Sequence, residues 1–120
     1  MIIAFWIVGG ITALAFLAAG LMKATRPKTA LARSMAWVED YSGGAVKAIG
    51  VVEILGALGI VLPALTGIAV VLSPIAAVGL VVVMIAAAIV HVRRHEPPVP
   101  PIILAVLALV TAVLGLVTVH

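Results

Sequence analysis

Glu53 is the residue whose type and place most directly suggest chemistry. It stands in an apolar stretch, with Lys47 the nearest charge before it and none after it until the His91-Val92-Arg93-Arg94 segment. If a helix begins near residue 45, Glu53 lies about eight residues, or roughly 12 Å, inside it. A carboxylate at that depth in a membrane costs on the order of 3 kcal/mol unless it is paired, solvated or protonated. Gly50, Gly56 and Ala57 share its helical face. Small residues let helices approach closely, so Glu53 is predicted to point into a bundle. Lys23, closing an earlier apolar run, is at a compatible height to reach it. His91, closing a later run, lies on the same side. Lys23, Glu53 and His91 therefore form a predicted buried polar cluster. It has two readings: a proton-handling or ligand-binding site, or an ion pair that fixes helix register.

The other reactive side chains carry weaker signals. His91 and His95 are four apart, a metal-ligand spacing on a helix. Neither an HExxH motif nor any Cys accompanies them, so solvated or hydrogen-bonded histidines are expected, with no metal. Trp37 and Tyr41 could stack on a quinone ring or a lipid head, and both also suit the aromatic belt at headgroup level. Ser34, Ser42 and Ser73 lack His–Asp companions with recognisable spacing, and catalytic residues stay unknown. The absence of Cys excludes disulfides, thiolate zinc sites and iron–sulfur clusters of the chain's own. No cofactor is evident from the residues, and a quinone is the ligand class left open.

The elements that must position these residues follow from hydropathy. Of 120 residues, 66% are hydrophobic and 9% charged, against about 50% and 25% in soluble domains. A water-soluble fold of this size could not hide so much apolar surface. The first run, helix 2–23, is long enough to span a core of about 30 Å. Its N-terminus lacks the basic n-region of a signal peptide, so a retained helix is expected, with Trp6 anchoring its far end. From Ile54 to Val90 there is no charge for 37 residues, too long for one span, so the chain must double back. Leu62-Pro63-Ala64-Leu65-Thr66-Gly67 supplies the break. This predicts helices over 45–62 and 67–92, with Pro74 kinking or starting the latter. A stiff Pro97-Pro98-Val99-Pro100-Pro101 turn then leads to a last helix, 101–119. In the polar connection 24–44, Leu31, Met35 and Val38 recur at helical spacing, which predicts an amphipathic interfacial helix at about 28–40. The reading is one all-α membrane domain over 1–120, a four-transmembrane-helix bundle.

Four spans put all seven Lys and Arg on one side and none on the other. The positive-inside rule then makes loops 24–44 and 92–100 cytoplasmic and both termini external. The net charge of +3 suits anionic lipid, so membrane lipid is the expected partner, with a second copy or another membrane subunit left open. The basic residues flank spans and form no groove, which excludes nucleic acid. Thr12, Thr111 and Thr118 are the main polar residues of the outer helices, so no continuous polar path through one monomer is expected.

Four segments together carry a family likeness: Gly20-Leu21-Met22-Lys23, Met35-Ala36-Trp37-Val38-Glu39-Asp40, the run Ile49-Gly50-Val51-Val52-Glu53-Ile54-Leu55-Gly56-Ala57-Leu58-Gly59, and His91-Val92-Arg93-Arg94-His95-Glu96. In their order and spacing the chain resembles the DoxX-like family of small bacterial four-helix membrane proteins. The resemblance implies that fold, a place in the bacterial inner (cell) membrane, and a polar core at Lys23, Gly50, Glu53 and His91. The family's name-giving branch is associated with a thiosulfate:quinone oxidoreductase, and other members with membrane-linked oxidant defence. The expected function is a non-enzymatic accessory subunit or a lipophile- or quinone-binding module. The alternatives are a subunit of a quinone-linked membrane oxidoreductase and a small transporter or channel protomer. Gly20, Gly50 and Gly56 are the expected packing positions.

Overall fold

The computed structural model describes residues 1–118. Four helices are long and apolar enough to cross a membrane: α1 (Ile2–Thr25), α3 (Gly43–Thr66), α4 (Leu72–Arg93) and α5 (Val99–Thr118). A short helix α2 (Lys28–Leu31) and a 3₁₀ turn (Ala36–Asp40) lie between the first two spans. The spans alternate up and down and pack as a ring in which α1 meets α3, α3 meets α4, α4 meets α5, and α5 returns to α1. Their outward faces are apolar, with Ile3, Leu14 and Leu55 well exposed. That is the arrangement expected where lipid is the solvent and every backbone group is satisfied within its own helix.

Local sequence explains most boundaries. The Ser42 hydroxyl accepts from the Ala45 N–H at 3.1 Å, capping α3. Gly67, at φ 74°, ends the same helix in the left-handed region, where a glycine is least strained. Of the predicted break over 62–67, Gly67 is the stop, and the predicted helix end at residue 62 is corrected. The helix runs through Pro63 to Thr66, because only its last turn follows and the one hydrogen bond lost is to the Gly59 carbonyl. The connection to α4 occupies 67–71, so α4 begins later than the sequence suggested. Pro74 sits in its first turn, where a missing N–H costs nothing. Val99, Pro100 and Pro101 likewise form the first turn of α5, so the predicted polyproline turn over 97–101 is corrected to end before Val99. The expected end of this helix at Val119 lies outside the described residues.

The predicted continuous interfacial helix over 28–40 is also corrected. The segment makes one turn of helix, breaks at Met35 (φ −129°, ψ 80°) and resumes as a 3₁₀ turn. The apolar spacing was real in its consequence: Leu31 and Val38 are buried with Val46 of α3 in a small cluster of their own. They are buried because the connection folds back over the end of the bundle, which a continuous helix of that length could not do.

Below this cap, Phe5, Phe16, Ile60, Ala77, Leu80, Ala108 and Ala112 form the main core. Trp6 packs edge-on against Phe5, with ring centroids 5.3 Å apart.

Candidate functional site

The ends of α1, α3 and α4 that carry Lys23, Lys47 and Arg93 come together as one basic end of the molecule. Lys47 of α3 donates to the carbonyl of Ala24 in α1 at 3.1 Å. Just below, α1 and α3 touch backbone to backbone. A Cβ added at Gly20 would stand 2.6 Å from the Gly50 carbonyl, and one at Gly50 would stand 2.6 Å from the Gly20 carbonyl. No side chain larger than hydrogen fits at either position without moving a helix.

This close approach brings Lys23 and Glu53 together. The Lys23 ammonium donates to Glu53 Oε1 at 2.5 Å. Glu53 is fully buried and Lys23 only 8% exposed. The second carboxylate oxygen, Oε2, has no hydrogen-bond partner. On the other side, Lys23 Nζ lies 5.7 Å from the centre of the Trp37 ring, within reach of a cation–π attraction. Trp37 in turn meets Tyr41 edge-on at 5.6 Å. The ammonium is thus held between a buried carboxylate from the bundle and an aromatic pair from the cap.

Beside the pair is a partly enclosed cavity of about 590 Å³, between the cap, the ends of α1 and α4, and the start of α5. Its walls include Lys23, Ser34, Trp37, Tyr41, His91 and Glu96 among otherwise apolar side chains. Such a volume and lining lie within the range of about 300–1,000 Å³ usual for small-molecule sites. Glu53 does not line it; the acid stands behind Lys23. His91 is on the α4 wall, its Nδ1 hydrogen-bonded to the Ala87 carbonyl one turn back at 2.8 Å. The structure therefore brings Lys23, His91, Trp37 and Tyr41 around one space, with Glu53 bonded to Lys23 alone.

His95 does not share a helical face with His91. It lies past the end of α4 with φ 57°, so their spacing of four does not place their rings side by side. Among the described residues, no group of three or more His, Asp or Glu is placed to hold a metal ion. The packing glycines divide: Gly20 and Gly50 join α1 to α3, whereas a Cβ on Gly56 would meet Leu80 of α4 at 2.6 Å.

One feature was missed by the sequence reading. Arg94 binds Asp40 at the end of the 3₁₀ turn at 2.5 Å and Glu96 at 2.6 Å. First Asp40 and then Glu96 hold its guanidinium further above its ordinary pKa, so it stays charged. This ties the aromatic cap to the α4–α5 connection, whose Glu96 lines the cavity. The only signal in the sequence was an arginine two residues before an acid, which reads equally well as a solvated loop pair.

The sequence model of the DoxX-like family matches residues 7–114. The chain belongs to the DoxX-like family. That span contains α3 and α4 whole, most of α1 and α5, and every residue of the site. Membership fixes the kind of protein, a multi-pass integral membrane protein, without assigning a ligand or reaction. No curated protein and no solved structure matches the chain.

Proposed function

We propose that this DoxX-like chain is a non-enzymatic membrane module that binds a lipophile with a polar head, of the quinone class, in the cavity at its basic end. The observation that carries the reading is the cavity itself. Its volume of about 590 Å³ is bounded mainly by apolar side chains, yet an ammonium, an imidazole and an aromatic pair meet there. A quinone ring suits such a lining: its carbonyl oxygens accept from Lys23 or His91, and its face lies against Trp37 or Tyr41. Glu53 acts behind Lys23, holding the ammonium in place. By the positive-inside rule the basic end is cytoplasmic, with both termini outside a bacterial inner membrane.

A quinone-linked oxidoreductase subunit would use the same cavity together with a redox-active partner, and copurification from native membranes separates the two readings. The transporter reading has less support. The Thr12 and Thr111 hydroxyls lie 3.1 Å apart, where one donates to the other and the second donates to a carbonyl of its own helix, and Ser73 donates to the Ile60 carbonyl at 2.7 Å. These hydroxyls are engaged inside the apolar half and line no water path.

The test is titration of purified protein in detergent with short-chain ubiquinone and menaquinone analogues. Binding raises the melting temperature by mass action and quenches Trp37 fluorescence. Trp37→Phe, which leaves Trp6 as the emitter, abolishes most of the quenching. No melting shift and no quenching at saturating analogue overturns the proposal.

A further inference from the structure

A second space lies on the outside of the ring, in the groove between α4 and α5, with a volume of about 570 Å³. It runs along α4 from Val81 to Arg93, and Ile102, Ala105 and Leu109 of α5 form its other wall. Its twelve residue-to-residue steps cover about 18 Å, slightly more than one leaflet's share of a hydrocarbon core of about 30 Å. The groove is therefore one acyl chain long, and it ends at the level where headgroups begin.

The charge at that end is selective. Arg94 is occupied by Asp40 and Glu96. Arg93, its neighbour in sequence, lines the groove and has no ion-pair or hydrogen-bond partner among the described residues. No carboxylate lines the groove, and Pro98 forms part of its rim. Two adjacent arginines thus have opposite fates. One is spent inside the protein, and the other is left facing lipid at the mouth of an apolar channel.

We infer that the α4–α5 groove is a binding site for a phospholipid with an anionic headgroup, its acyl chain in the groove and its phosphate on the Arg93 guanidinium. Guanidinium–phosphate contacts are charge-assisted and bidentate. A zwitterionic lipid presents the same phosphate with a cation attached, which Arg93 repels, so the site discriminates by charge rather than by chain. The site lies outside the ring, distinct from the cavity beside Lys23.

The test is native mass spectrometry of the full chain, released from detergent after equilibration with phosphatidylglycerol or with phosphatidylcholine of the same acyl chains. The expected result is one tightly retained phosphatidylglycerol, favoured over phosphatidylcholine about tenfold, in keeping with repulsion between the choline cation and Arg93 at the membrane surface. Arg93→Gln removes the preference, while Arg33→Gln, on the exposed surface of the cap, keeps it. Ala88→Leu, which narrows the groove without adding charge, lowers retention of both lipids. Equal retention of the two lipids by the unaltered chain overturns the inference. So does a preference that survives Arg93→Gln, or a stable dimer that excludes lipid from the groove.

Discussion

The two ends of the bundle solve the same problem in different ways. At the apolar end the buried groups are neutral hydroxyls: Thr12 bonds with Thr111 and Ser73 with the Ile60 carbonyl, while Thr118 Oγ1 has no partner. Aromatic and small side chains close the remaining space, with Phe5 packed near Gly9 and Gly115. At the basic end, a full charge pair is buried with one carboxylate oxygen left over, and a cavity stays open beside it. A fold built only for stability would follow the first pattern throughout, since a buried ion pair is weak evidence of net stabilisation. The contrast locates what is specific to this protein at the basic end.

The sharpest way to break the comparison is to unpair the charges. Lys23→Leu leaves Glu53 wholly buried with neither oxygen satisfied, and it is expected to cost on the order of 3–5 kcal/mol. Glu53→Leu leaves an ammonium that can swing toward the headgroups on its flexible stem, so its cost is expected to be clearly smaller. Folded yield in detergent, read by size-exclusion chromatography, checks the ranking, and equal losses would contradict the pairing. Next in size is Gly20→Ala, which forces a methyl against the Gly50 carbonyl and is expected to cost about 1–3 kcal/mol as an overpacking change. The same substitution at Gly10, where an added Cβ meets nothing within 4 Å, should leave the melting temperature nearly unchanged. Thr12→Val tests the apolar end. Thr111 keeps its bond to the Leu107 carbonyl, so the loss should be about 0.6 kcal/mol, typical of a hydrogen bond between membrane helices. The smallest effect is expected for Asp40→Asn, at the exposed rim. It should leave the melting temperature unchanged while speeding hydrogen exchange of the 35–41 amides, because the cap loses its tie to Arg94.

Much of this arrangement was legible in the sequence. Lys23 and the uncharged run from Ile54 to Val90 define the spans, because charge is costly in lipid whatever the tertiary packing. The same cost made Glu53 demand a partner and pointed to Lys23. Less legible were features set by packing rather than by solvent. Pro63 and Gly67 both stood in the predicted break, but the helix end was placed before Pro63, whereas the helix runs on to Thr66 and only Gly67 stops it. Leu31 and Val38 were correctly spaced for burial, yet nothing local shows that they bury by folding over Val46. The Arg94–Asp40 tie joins residues 54 positions apart, and charges in two loops carry no sign of which of them will meet. The position of His91 on the far wall, bonded to its own helix, depends on the rotation of α4 about its axis, which an almost uniformly apolar helix does not encode.

The contact of Gly20 with Gly50 bears on how anything enters the cavity. With the two backbones too close to admit a methyl group between them, and with the Lys23–Glu53 pair bridging the same contact, α1 and α3 act as a fixed jaw. The facing α4–α5 pair meets that jaw through compressible side chains such as Leu80. Any widening of the cavity to fit a ligand therefore falls to the second jaw or to the Trp37 cap, and the lysine that greets it keeps its position throughout.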